Sequence, residues 1–128
     1  MKELINKAIQ AKKFSYSPYS KFSVGAALLT ANGKIYTGCN IENASFSPTV
    51  CAERTAFIKA VSEGERKFSA IAIVGDTDSI TPCGVCRQFI SEFCNENFKI
   101  ICAKDAENYK SYTLEELLPD AFKLGENL

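Results

Sequence analysis

Apolar residues open the chain at Leu4, Ile5, Ala8, Ala11 and Phe14. That spacing follows one face of a helix, so an amphipathic helix is expected over residues 3–16, ended by Pro18. The pattern then shortens. Residues 22–29 and 34–39 are apolar or β-branched runs on either side of Ala31-Asn32-Gly33. Asn-Gly between two such runs predicts a hairpin. A polar loop over 40–48 follows, and Thr49 is placed to cap a helix running to about Ser62 and closed by Gly64. Residues 68–75, with Ala-Ile-Ala-Ile-Val at their centre, read as a buried strand. A second central helix is expected over 84–94, a strand over 98–103, a short edge strand over 109–112 and a last helix over 113–118.

A hairpin whose second strand opens a series of strand, helix, strand, helix and strand implies an α/β sandwich with a mixed sheet. The run from Phe68 to Ala103 is expected to be a right-handed parallel crossover. The chain has 128 residues and shows no repeat, low-complexity tract or linker, so one domain over 1–128 is expected.

Charge changes the picture by exclusion. Lys and Arg number 15, and Asp and Glu number 15, so no basic field would gather nucleic acid. No run of about 18 apolar residues is present, and no membrane partner is expected. Met1-Lys2-Glu3-Leu4-Ile5 lacks the apolar core of a secretory leader. Six cysteines in such a chain point to a reducing compartment, hence a cytoplasmic location, with the thiols buried or on a metal. Histidine is absent, which excludes His-based general bases, triads and phosphoryl relays, and makes cysteine the main ligand for any zinc.

The chemistry gathers at Cys51-Ala52-Glu53-Arg54 and at Pro82-Cys83-Gly84-Val85-Cys86-Arg87. A thiolate two residues before a carboxylate, then P-C-x-x-C, is the layout of a zinc site that activates water. Three sulfurs from Cys51, Cys83 and Cys86 would leave the fourth position open, as in a catalytic rather than a structural site. Two helix N-termini are expected to face the metal. Their positive ends, with Arg54 and Arg87, would offset the excess charge of three thiolates. Glu53 would carry protons between water and the reacting group. P-C-x-x-C alone also fits a redox pair or half of a structural zinc ribbon, though a ribbon needs a second close pair that the chain lacks. Cys39, Cys94 and Cys102 read as core thiols.

On these residues the chain resembles the cytidine deaminase family, of the small homotetrameric type with an all-cysteine zinc site. The resemblance spans nearly the whole chain. It is carried also by Tyr19-Ser20-Lys21-Phe22-Ser23-Val24-Gly25-Ala26-Ala27, Gly38-Cys39-Asn40-Ile41-Glu42-Asn43-Ala44 and Leu117-Leu118-Pro119. It implies a three-layer α/β/α sandwich with a mixed sheet of about five strands, and one zinc per subunit. It implies hydrolytic deamination of cytidine and 2′-deoxycytidine in pyrimidine salvage, with ammonia released. Cys51, Cys83 and Cys86 match its zinc ligands and Glu53 its proton shuttle. Asn40 and Glu42 match residues that hold the ribose 3′-hydroxyl, and Phe22 an aromatic packed on the nucleoside. The Ala52 backbone matches a donor to the pyrimidine carbonyl, and Arg54 the arginine that offsets ligand charge. Phe122 resembles an aromatic that reaches a neighbouring subunit's site. Phe46 stands where many relatives carry tyrosine, and Asp120 where glycine is common. A modified nucleoside as substrate, or a catalytically silent zinc module, is the alternative reading.

Overall fold

The computed structural model describes residues 1–78 and 80–124. The expected span of 1–128 thus includes residue 79 and residues 125–128, which lie outside the described ones. Among the described residues the elements run α1 (Lys2–Lys12), β1 (Gly25–Thr30), β2 (Ile35–Cys39), α2 (Ala52–Ser62), β3 (Phe68–Val74), α3 (Gly84–Phe93), β4 (Lys99–Ala103), β5 (Tyr109–Thr113) and α4 (Leu114–Leu117). The strands form one sheet in the order β2-β1-β3-β4-β5. Only β3 and β4 are parallel, joined through α3, and the other pairs are antiparallel. This is the expected mixed five-stranded sheet.

Strand alternation sorts the core into two layers. Ala27, Ala70, Ala72, Val74, Ile101 and Ala103 face Leu4, Ile5 and Ala8 of α1. Ala26, Leu28, Ile71, Ile73, Ile100 and Cys102 face Phe57 of α2 and Ile90 of α3. Phe57 is fully buried and meets Phe68, Phe89, Phe93 and Phe98 within 6.2 Å between ring centres. Helices on both faces of the sheet make the α/β/α sandwich. Cys94 and Cys102 are buried in this second layer and Cys39 is partly buried, as expected of packing thiols.

Two glycines set the helix spacing. A Cβ on Gly25 would collide with the Ala8 carbonyl oxygen of α1, and one on Gly38 would lie 2.5 Å from the Ala52 carbonyl oxygen of α2. Alanine-rich helix faces and these bare strand positions let both helices lie directly on the hairpin. The hairpin turns at Gly33, whose φ is +90°, as Asn-Gly predicts.

Several expected boundaries move. The first helix ends at Lys12, not near residue 16, and Phe14 stands 81% exposed instead of joining the buried stripe. Beyond it Tyr16 takes an extended bridge to Ile41, which a helix through that residue would forbid. Thr49 caps no helix. Cys51 is the N-cap of α2, and the Thr49 hydroxyl accepts instead from the Asn43 N–H at 3.0 Å. The last helix carries a full capping box between Thr113 and Glu116. Asp120, at the position read as a common glycine, has φ +52°. Aspartate is one of the few side chains that enters this left-handed region readily.

Candidate active site

Two helix starts meet at the chemistry. Cys51 caps α2 with φ −70° and ψ 157°, and Cys83 caps α3 with φ −67° and ψ 165°. Neither sulfur bonds its own helix end, so both project elsewhere. Cys86, in the first turn of α3, is fully buried. The three sulfurs lie within 4.8 Å of one another, and those of Cys51 and Cys83 are 3.9 Å apart. A tetrahedral zinc with bonds of about 2.3 Å separates its sulfurs by about 3.8 Å. The donor set therefore fits zinc in both chemistry and spacing. Among the described residues no fourth His, Cys, Asp or Glu joins the cluster, which is the open arrangement a catalytic ion requires.

Electrostatics favours the thiolate at Cys51. The Cys51 thiol is pulled down to about 5, first by a hydrogen bond from Cys86, against its own burial, and then by Arg54. The Cys86 thiol moves the opposite way, because it donates to Cys51 and is buried. The Arg54 guanidinium lies 3.4 Å from the Cys51 sulfur. Its Nε is buried with no hydrogen-bond partner among the described residues. Arg87, also expected beside a thiolate, is differently engaged: it donates to the carbonyls of Pro82 and Leu117, both at 2.7 Å.

Glu53 sits in the first turn of α2 and is 4% exposed. Burial pushes its carboxyl up to about 7, and the Cys51 charge adds to this. A carboxyl poised there can both accept and donate a proton at neutral pH.

Beside these groups opens a cavity of about 360 Å³. One wall holds Phe22, Val24, Asn40 and Glu42. The floor holds Thr49, Cys51, Ala52 and Glu53, and Ile80, Thr81 and Cys83 close the far side. Among the described residues no lysine or arginine lines it. A larger hollow of about 470 Å³ lies over Lys104 and Lys110, but it contains neither the clustered sulfurs nor Glu53.

The Phe22 wall is built by side chains reaching back from distant segments. The Asn40 amide donates to the Phe22 carbonyl at 2.8 Å and accepts from the Val24 N–H at 2.9 Å and from the Ser15 hydroxyl. One amide hydrogen remains for a ligand. Glu42 accepts from the N–H groups of Tyr19 and Ser20 at 3.0 and 3.1 Å, and from the Ser20 hydroxyl. A carboxylate has about four acceptor positions, so roughly one is left. Asp76 closes the wall from behind, taking the Ser23 N–H at 2.6 Å and pairing with Lys12 at 2.8 Å.

Cys51, Ala52, Glu53, Cys83, Phe22, Asn40 and Glu42 thus border one cavity, with Cys86 and Arg54 immediately beneath. Phe122 does not reach it; it is 69% exposed, and its carbonyl accepts from Gln88. Sequence reasoning missed Ile80 and Thr81 as wall residues and Asp76 as a support. Thr81 adjoins the metal motif and could have been inferred, whereas nothing around Asp76 signals its role.

Known proteins resemble this chain in sequence and in fold. Residues 1–102 match the family model described as cytidine and deoxycytidylate deaminase zinc-binding region, and that stretch contains all three clustered cysteines. The chain is 50% identical over 123 residues to a cytidine deaminase of Sporosarcina psychrophila, covering 95% of this chain and 90% of that one. It is 50% identical over 120 residues to one from Halalkalibacterium halodurans, covering 93% and 91%. Among solved structures, the cytidine deaminase of Burkholderia pseudomallei superposes with a TM-score of 0.90 at 44% identity, over 94% of this chain and 97% of that chain. The Mycobacterium tuberculosis enzyme gives 0.84 at 38% identity, over 95% and 96%. With an open three-sulfur centre, a buried glutamate beside it and relatives matched over nearly their whole length, this chain belongs to the cytidine and deoxycytidylate deaminase family of zinc-binding proteins.

Proposed function

We propose that the protein, acting as a single domain in the cytoplasm, hydrolyses cytidine and 2′-deoxycytidine to uridine and 2′-deoxyuridine with release of ammonia. The observation that carries this reading is the buried carboxyl of Glu53 at the floor of a nucleoside-sized cavity, beside three sulfurs spaced for one zinc. Cys51, Cys83 and Cys86 would hold the zinc, which when bound makes water a nucleophile at neutral pH. Arg54 and the N-termini of α2 and α3 offset the charge of three thiolates.

Glu53 takes a proton from the attacking water and delivers it to ring N3. As the C4–N4 bond breaks it passes the second proton to the departing amine, so that water and cytidine leave as uridine and ammonia. Ala52 is the first residue of α2, where helix N–H groups have no partner within the helix. Its N–H is the donor assigned to the pyrimidine carbonyl. Phe22 covers the base, and the remaining amide hydrogen of Asn40 with the remaining acceptor of Glu42 would take the 3′-hydroxyl. The described lining residues include no lysine or arginine, which suits a nucleoside without phosphate.

Loss of cytidine ultraviolet absorbance on adding the zinc-loaded protein tests the reading, with uridine and ammonia as the products to identify. A folded, zinc-loaded protein that leaves cytidine untouched would overturn it.

Asn40→Ala is expected to raise KM for cytidine by about tenfold or more while zinc content stays at the wild-type level. The substitution removes a ligand donor and also releases the Phe22 carbonyl and Val24 N–H it now holds; a lost hydrogen bond of this kind is worth about 1–3 kcal/mol. Unchanged kinetics would place Asn40 outside the sugar site.

A homotetramer belongs to the same proposal. Phe14, Phe46, Phe122 and Leu124 are each about 70–80% exposed, which is apolar area suited to other subunits, and Phe122 would reach a neighbour's cavity. The expected mass in solution is four times 14.1 kDa. A monomer by light scattering would sink this part alone.

A further inference from the structure

We infer that Arg87 is a positioning residue that fixes the approach of Cys83 to the metal and ties it to the C-terminal Leu117-Leu118-Pro119 stretch. The inference rests on Cys51, Cys83 and Cys86 being the zinc ligands.

Pro82 is fully buried immediately before the Cys83 cap of α3. Its ring holds φ near its preferred value. Its carbonyl accepts from the Arg87 Nε at 2.7 Å, which holds the orientation of the peptide joining Pro82 to Cys83. Both backbone rotations of Pro82, immediately before Cys83, are thereby constrained, one by covalent structure and one by the guanidinium. Arg87 itself is anchored through its backbone, whose N–H donates to the Cys83 carbonyl at 2.9 Å. The arginine and the ligand therefore close a tight ring around the helix start.

The other end of the fork leaves this ring. Nη1 donates at 2.7 Å to the carbonyl of Leu117, the last residue of α4. Carbonyls in a last helical turn lack partners within the helix, and a cation there is doubly suited. Two carbonyls 35 residues apart in sequence, at 82 and 117, are thus bridged by one planar group. Lysine offers a single ammonium and cannot hold both in a fixed fork. The two arginines have divided the work: Arg54 donates to the Cys51 sulfur, whereas the side-chain hydrogen bonds of Arg87 among the described residues go to carbonyls. The neighbouring Gln88 makes a separate tether to the same tail, donating from Nε2 to the Phe122 carbonyl at 3.1 Å.

The test compares zinc-loaded wild type, Arg87→Lys, Arg87→Gln and Gln88→Ala. Zinc release to a chromophoric chelator, the thiolate-to-metal bands of the cobalt-substituted proteins, kcat and KM are measured, with thermal unfolding as the check on folding. Arg87→Lys and Arg87→Gln are expected to release zinc about 10–100-fold faster, to shift the cobalt bands and to lower kcat more than they raise KM. Gln88→Ala, which loosens the tail without touching Pro82, is expected to release zinc at the wild-type rate. If the glutamine variant does not fold, the lysine variant decides. A folded Arg87→Lys protein with wild-type release and spectrum overturns the inference. So does equal acceleration by Gln88→Ala, which would reduce the effect to detachment of the tail. A folded wild type that takes up no zinc overturns the ligand reading and this inference together, whereas normal uptake with unaltered variants overturns this inference alone.

Discussion

Glu53→Gln is expected to keep its zinc and lose its turnover, with kcat down by roughly 10²–10⁴. The side chain is 4% exposed in the first turn of α2, so glutamine enters the same space with the same shape and brings no charge into it. The sulfurs are untouched, and metal analysis should match the wild type. What disappears is the group that can hold a proton at neutral pH, a property that burial confers by lifting the carboxyl to about 7. Glutamine donates and accepts hydrogen bonds but cannot carry a proton from water to N3. Binding of cytidine should therefore persist while the rate collapses, which single-turnover absorbance together with ligand titration can separate. Wild-type turnover in this variant would remove Glu53 from the mechanism.

The second large effect is expected far from any reacting atom. Gly38→Ala should destabilise the protein by about 1–3 kcal/mol and weaken zinc retention at the same time. The added methyl would stand 2.5 Å from the Ala52 carbonyl oxygen, 2.6 Å from the Ala56 nitrogen and 2.9 Å from the Thr55 Cβ. Two of these atoms are helix backbone, which cannot swing aside as a flexible side chain would. The start of α2 must lift off β2, and Cys51, Ala52 and Glu53 lift with it. Gly84→Ala is the matching control. It lies inside the metal motif, yet its methyl meets nothing within 4 Å, and thermal stability should hold or rise because alanine favours the first turn of a helix. Thermal unfolding and chelator competition on both variants check this. Equal behaviour of the two would refute the contact argument.

Much of this architecture was legible because it depends on local chemistry. Asn32-Gly33 announced the hairpin, and the apolar run around Ile71 and Ile73 announced the central strand, whose neighbours are buried on both faces. The clustering of the three sulfurs was legible because so few arrangements of three cysteines and a glutamate make sense without histidine. What escaped depends on tertiary partners. Thr49 has the right chemistry for a helix cap, but a cysteine two residues on takes that position because its sulfur is needed beyond the helix end. Phe14 continues a helical stripe on paper. The chain instead leaves the helix so that Tyr16 can pair with Ile41. Asp76 supports the Phe22 wall from a loop 53 residues away, and a lone aspartate after a strand carries no sign of such a target. Arg87 adjoins Cys86, which suggests a charge for sulfur; its hydrogen bonds to the carbonyls of Pro82 and Leu117 send it elsewhere.

The sulfurs that precede and follow β3 along the chain also have a consequence for survival of the chain. Cys51 ends the segment that leads into α2, and Cys83 ends the one that leads into α3. An ion shared between them is a clasp across a stretch of more than 30 residues, a span whose closure by a permanent crosslink would be worth on the order of 3–4 kcal/mol. A clasp that can be opened by chelation makes metal supply a determinant of lifetime as well as of activity. With zinc removed, the two approach segments would lose their common anchor, and limited proteolysis with and without chelator is expected to cut there first.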